Sequence, residues 1–236
     1  TLKRAKNIKC FSVTKKLSLD LENYFSLDEG SIKVLHDAAD LGDYIGKPKI
    51  KRTSDMPILT YCGSLSHEKG ADLLLETAAN LDNFQIIIVG GLAADVKIYS
   101  EKAKKMNIDN IIFIGQILPS EVPNYLNSSD ILLLPSSGKS KKSREYTSAM
   151  KLFEYLASGI PIIASNISSN TEILTQDKNC ILFNPDDSDS LTREIKKLWQ
   201  NFELREKISH NSIELSKEFT WENRCKVIID EIKQIK

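Results

Sequence analysis

Residues 57–91, PILTYCGSLSHEKGADLLLETAANLDNFQIIIVGG, carry the repeating unit of the fold. ILTYC (58–62) and FQIIIV (84–89) are near-continuous apolar runs of strand length, and KGADLLLETAANL between them places its apolar residues at helical spacing. A strand that is apolar on both faces belongs in a parallel sheet covered by helices on both sides. The pattern continues downstream with NIIFI (110–114), DILLLP (130–135), PIIAS (161–165) and CILF (180–183). The helical stretches between these runs include AADVKIYSEKAKKM, SEVPNYLN and SAMKLFEYLA. Strand, helix and strand in regular alternation predict an α/β fold, a doubly wound, Rossmann-like parallel sheet over residues 57–220. Residues 188–218 and 221–235 read as further helices, the last capped by Thr220.

The first 46 residues are different. They offer one strand (IKCFSV), one helix (TKKLSLDLENYF) and a short strand (IKVL) leading into HDAADLGDYI, which is too little for a domain. Residues 47–56, KPKIKRTSDM, form a polar, proline-bearing linker, so a boundary falls near residue 50. The chain opens on Thr1 without an initiator methionine and reads at once as the inside of a domain, which predicts a fragment.

Composition narrows the function. With 41% hydrophobic and 27% charged residues, the chain can bury a core and stay in solution. Thirty-two basic and 32 acidic residues cancel, so no global field draws nucleic acid. Cys10, Cys62, Cys180 and Cys225 fit no metal spacing and are read as reduced core residues of a cytoplasmic protein. No run approaches the roughly 20 apolar residues that span a bilayer.

Ligands of open α/β sheets bind at the carboxyl ends of the strands. In the first such loop, GSLSHEKGAD (63–72), Gly63 permits close backbone approach, and Lys69-Gly70 precede a helix start where amides and dipole favour an anion. Gly90-Gly91 after FQIIIV is only part of a dinucleotide fingerprint. SREYTSAMKLFEYLASGIPIIAS (143–165) is the most informative segment: Thr147 or Ser148 can cap a helix that Gly159 stops. Lys151 and Glu154, three apart, share one face about 4.5 Å apart along the axis. Amides, then a lysine, then a carboxylate match a diphosphate followed by a ribose diol. Upstream, GKSKKSR (138–144) is a basic loop, read either as mobile and solvated or as a partner for phosphates or an anionic acceptor.

The ordered series VLHDAADLGDYI, YCGSLSHEKGADLLLETA, FQIIIVGG, IIFIGQILPSEVPNYLNSSDILLLPSS, SAMKLFEYLASGIPIIASNISSNTEIL, CILFNPDD and FTWENRCKVIID resembles the retaining glycosyltransferases of group 1, which include many capsule and O-antigen enzymes. The resemblance spans residues 32–235 and implies the C-terminal half of a GT-B architecture. Residues 1–46 then look like a remnant of the acceptor domain, and 221–236 like the helix that crosses back onto it. The resemblance also assigns roles. Lys69 looks like the donor-phosphate lysine and Glu154 like the ribose glutamate. The amides around Ser148, Ala149 and Met150 look like the phosphate cradle, and the Ile117 backbone matches the group that meets the base. Where many members carry an arginine after Gly63, this chain has Ser64, which leaves that charge to Lys151 or to the basic loop. Where an acidic residue usually stands eight positions before the glutamate, this chain has Tyr146.

The implied activity is metal-independent, cofactor-free transfer from a nucleotide sugar, a UDP-sugar first, to a saccharide or lipid-linked acceptor, with Lys69 and Lys151 stabilising the leaving diphosphate. Contact with the membrane surface would run through a missing N-terminal domain, and open interdomain surface predicts self-association. Two other readings stand beside it: a Rossmann-like module that only senses a nucleotide or docks a partner, and a GT-B sugar-nucleotide epimerase, whose acid/base carboxylates are not found in the sequence.

Overall fold

The computed structural model describes residues 8–44 and 55–235. Most of the 47–56 linker lies outside the described residues. Six strands, β3 (Ile58–Cys62), β4 (Gln85–Val89), β5 (Ile111–Gly115), β6 (Ile131–Leu134), β7 (Ile162–Ser165) and β8 (Ile181–Phe183), form one parallel sheet in the order β5-β4-β3-β6-β7-β8. The chain winds outward from β3 to β5, returns to the far side of β3, and winds outward again to β8. The expected doubly wound sheet is therefore present, and the order reverses between β3 and β6, the point at which sheets of this kind bind ligands at the strands' carboxyl ends.

Helices α3 (Ala71–Ala78), α4 (Ala93–Lys105), α5 (Val122–Leu126), α6 (Met150–Ser158), α7 (Ser168–Thr171), α8 (Ser188–Gln200) and α9 (Phe202–Ser216) flank it. Alternate residues of the strands feed two separate cores, one per face. Leu59, Tyr61, Ile86, Ile88, Ile131 and Leu133 pack under α3, α4 and α8. Leu132, Leu134, Ile162 and Ala164 pack under α6 with Leu152, Phe153, Tyr155 and Leu156.

Upstream, β1 (Cys10–Ser12) and β2 (Ile32–Val34) form a two-stranded parallel sheet, bridged by α1 (Lys15–Phe25). The short helix α2 (Leu41–Tyr44) lies where the sequence offered no periodicity to read. Thr220 caps the final helix α10 (Trp221–Lys233), its hydroxyl accepting from the Asn223 amide at 3.1 Å. The α10 helix rests on the first segment: Arg224 donates to the carbonyls of Leu35 and His36, and Glu231 takes both Lys9 and Lys33 at 2.9 Å.

Two local expectations are corrected. Neither Thr147 nor Ser148 caps α6. The N-cap position is Ala149, because a π-helical turn at Lys142–Tyr146 draws the Thr147 hydroxyl to the Lys142 carbonyl (2.8 Å), while Ser148 Oγ accepts from the Asp37 amide (3.3 Å). Of the cysteines only Cys180 is fully buried; Cys225 is exposed on α10, whose amphipathic repeat puts that position on the solvent side. Gly159 ends α6 at φ 68°, as expected.

Gly70 links the first loop to α3 at φ +79°, and a Cβ there would overlap the Pro135 carbonyl at the end of β6. Left-handed backbone costs an L-residue about 1–2 kcal/mol, and overpacking against rigid backbone adds about as much again. Gly70→Ala should lower the midpoint of urea unfolding by the equivalent of about 2–4 kcal/mol at an unchanged m-value. A change under about 0.5 kcal/mol would show that the two loops part easily.

Candidate nucleotide site

The β3–β6 reversal is flanked by the loop after β3. At Gly63 the backbone turns with φ +149°, and a Cβ would displace the Lys151 ammonium from its place against the loop. Lys151, on the first turn of α6, lays its Nζ over the Tyr61 ring at 3.9 Å from the centroid. Tyr61 is wholly buried and held by donation from its hydroxyl to the Ser64 carbonyl at 2.7 Å. Behind it, the Tyr155 hydroxyl accepts from the Cys62 amide at 2.8 Å, which pins the end of β3 to α6. Gly90 is spent on packing: its amide donates to the Gly115 carbonyl (2.7 Å), and a Cβ would lie 2.5 Å from the Gly63 carbonyl oxygen.

Lys69 is half-buried at the end of the turn His67–Lys69. Burial pulls its pKa down from the ordinary lysine value, opposed by Glu68. Lys151 is pulled further, to about 7, first by burial and then by the Lys69 ammonium beside it. No carboxylate lies within ion-pair distance of either lysine among the described residues. Two neighbouring lysines whose ammonium forms are disfavoured by burial, with no carboxylate in ion-pair range among the described residues, make a position where an anion would be stabilised.

Glu154, one turn along α6, is half-buried; burial raises its pKa, while hydrogen bonding with Tyr44 and the charge of Lys151 oppose the rise. Glu154 and the exposed Met150 line a cavity of about 370 Å³ together with Tyr44, Pro119, Pro123 and Trp221. Half-buried Ile117 lies in the loop between β5 and that wall but does not line the cavity. Ser148 and Ala149 are half-buried at the start of α6, and Ser64 is exposed in the first loop. Lys69, Lys151, Gly63, Glu154 and the α6 start are thus brought to the carboxyl end of the sheet, with Ile117 on its margin.

The basic loop is tied to its surroundings by hydrogen bonds. Arg144 donates to the Gly138 carbonyl (2.8 Å), Ser169 Oγ to the Ser143 carbonyl (3.0 Å) and Thr14 Oγ1 to the Glu145 carbonyl (2.8 Å). Lys141 and Tyr146 are both engaged by Asp20 of α1. A larger cavity of about 500 Å³ lies between α1, β2 and α10, but its Lys9 and Lys33 are both already ion-paired with Glu231. The residues that the sequence reading missed are Tyr61 and Tyr44. Tyr61 lay inside an apolar strand run and Tyr44 in an aperiodic one, so neither carried a local signal.

Among the described residues no group of three His, Cys, Asp or Glu could hold a metal ion, and no helix is long and apolar enough to cross a membrane.

Residues 46–215 match the family model described as glycosyl transferases group 1. A relative from Methanocaldococcus jannaschii, an uncharacterized glycosyltransferase, is 26% identical over 179 residues, which is 75% of this chain and 48% of that protein. The chain therefore spans about half the length of that relative. Among solved structures, sucrose-phosphate synthase from Thermosynechococcus elongatus superposes with a TM-score of 0.82 at 20% identity, over 97% of this chain and 59% of that one. Anabaena HepE in complex with UDP-glucose superposes at 0.79 with 16% identity, over 94% and 63%. Both share the fold.

Proposed function

The chain belongs to the group 1 glycosyl transferases, and from that premise we propose that it is the donor half of a two-domain transferase that binds a nucleotide sugar. The observation that carries this reading is the pair Lys69 and Lys151, neither with a carboxylate in ion-pair range among the described residues, with Lys151 on the first turn of α6 and Glu154 one turn beyond. A diphosphate would bring negative charge to the two lysines, and a ribose diol would donate to the carboxylate. The UDP-glucose complex of the HepE neighbour supports a UDP-sugar as the first donor to test. In transfer with retention of configuration, the bond from the anomeric carbon to the diphosphate oxygen breaks, and Lys69, Lys151 and the amides of Ala149 and Met150 stabilise the charge left on the diphosphate. This electrostatic role needs no metal ion.

We extend the proposal to a saccharide or lipid-linked acceptor in surface-polysaccharide synthesis, held by the opposite domain, of which residues 1–46 are the end. Exposed Tyr24, Phe25, Ile229 and Ile232 support an open interdomain surface there and self-association through it. Four free thiols fit a reducing cytoplasm, with any membrane contact peripheral.

A calorimetric titration with UDP, GDP, ADP and uridine tests the core of the reading. UDP should bind more tightly than uridine, and Lys69→Ala should weaken UDP by about 1.5–3 kcal/mol while leaving uridine nearly unchanged. A chain that binds none of the four is a docking module. Equal losses for UDP and uridine would make Lys69 a shaper of the loop.

A further inference from the structure

Tyr44 is more than nine-tenths buried, yet it is a tyrosine and not a phenylalanine, and a buried phenol needs a partner. Its partner is the Glu154 carboxylate, with which it shares a hydrogen bond on the wall of the 370 Å³ cavity. The backbone around it is clamped at both ends. The Ala39 amide donates to the Phe219 carbonyl at 3.0 Å, and the Tyr44 carbonyl accepts from Asn127 Nδ2 at 3.2 Å. The phenol therefore has a fixed position relative to α6.

A glutamate has three rotatable bonds, and a donor held against its carboxylate removes much of that freedom while the carboxylate keeps further acceptor capacity, and Glu154 lines the cavity. Residues 38–44 lie outside the 46–215 span of the family match, so this contact is a feature of the connecting segment and not of the matched domain. We propose that Tyr44 is a positioning residue of the nucleoside site, which orients Glu154 so that its carboxylate meets the ribose hydroxyls. The inference rests on the donor reading above and adds to it the origin of ribose selectivity: a side chain delivered from outside the sheet domain.

The test is titration of the chain and of Tyr44→Phe with UDP, 2′-deoxy-UDP and inorganic pyrophosphate. Phenylalanine keeps the packing and removes only the hydroxyl. Wild type should prefer UDP over 2′-deoxy-UDP at least tenfold. Tyr44→Phe should weaken UDP by roughly three- to tenfold, leave 2′-deoxy-UDP and pyrophosphate within twofold, and so collapse the preference. In a Glu154→Gln background the same change should have no further effect.

An unchanged preference in Tyr44→Phe overturns the assignment alone. So does an equal loss for all three ligands, which would mark a merely structural role. A wild-type chain that binds UDP and 2′-deoxy-UDP equally removes the ribose role of Glu154 and the inference with it, while the phosphate site stands. A chain that binds neither nucleotide overturns the donor reading as well.

Discussion

Lys151→Met should make the free protein more stable and the nucleotide complex much weaker. In the free chain the ammonium sits half-desolvated over Tyr61, next to the Lys69 ammonium and with no carboxylate in ion-pair range among the described residues. Replacing such an uncompensated charge with an apolar side chain of similar length typically stabilises by about 1–3 kcal/mol. The cation–π contact that is lost offsets about 0.5–2 kcal/mol of this, and a thioether over the same ring recovers part. With UDP bound, the balance reverses. The lysine then has the diphosphate as its partner, and truncating one member of a buried, hydrogen-bonded charge pair costs about 2–4 kcal/mol, a loss of about 30- to 1000-fold in affinity. Thermal unfolding with and without UDP checks both signs in one experiment: the free midpoint should rise, and the ligand-induced shift should shrink towards zero. A falling free midpoint with an intact ligand shift would make Lys151 a packing residue.

Lys151 also shows how far the sequence alone can be read. Its place on the Glu154 face of α6 followed from the three-residue spacing, and the helix from its apolar pattern and from Gly159. The six strands were legible because a parallel sheet buried on both faces writes itself as continuous apolar runs, each found within a residue or so of its observed limits. What was not legible depends on residues distant in the chain. Thr147 has the chemistry of a cap, but the π-helical turn before it supplies a competing acceptor at Lys142. Tyr61 reads as core, and it is core on one side of its ring; only the fold reveals that Lys151 covers the other. Tyr44 reaches Glu154 across 110 residues, from a segment without periodicity. Gly63 leaves room for the Lys151 ammonium against the loop that carries Ser64, a juxtaposition no local sequence pattern announces. The basic loop 138–144 could be read either way, because its hydrogen bonds run to α7 and to its own carbonyl at Gly138, neither of which is visible in the local sequence.

Affinity for a nucleotide sugar should fall as pH rises through neutrality, while the free chain grows more stable over the same range. Lys151 in the free fold has a pKa near 7, well below its ordinary 10.5. A diphosphate needs it charged, so above pH 7 each complex must first take up a proton, and affinity should decline by up to about tenfold per pH unit. UDP-glucose is the right probe, because a terminal phosphate such as that of UDP titrates near pH 6 and would confound the slope. The sign for stability is opposite. Between about pH 7 and 10.5 the unfolded chain holds the lysine proton and the folded chain releases it, so the unfolded state binds more protons and stability rises with pH. The clean window ends near pH 8.5, because burial raises the Cys62 thiol from 9 to about 11, and above its ordinary value that group pulls stability the other way. Calorimetry of UDP-glucose binding at pH 6.5 and 8.5, in buffers of different ionisation enthalpy, should report proton uptake at the higher pH and little at the lower. Lys151→Met should abolish both the uptake and the rise in free stability. If proton uptake persists in that variant, the titrating group is another one, with Lys69, whose pKa is also lowered by burial, as the next to replace.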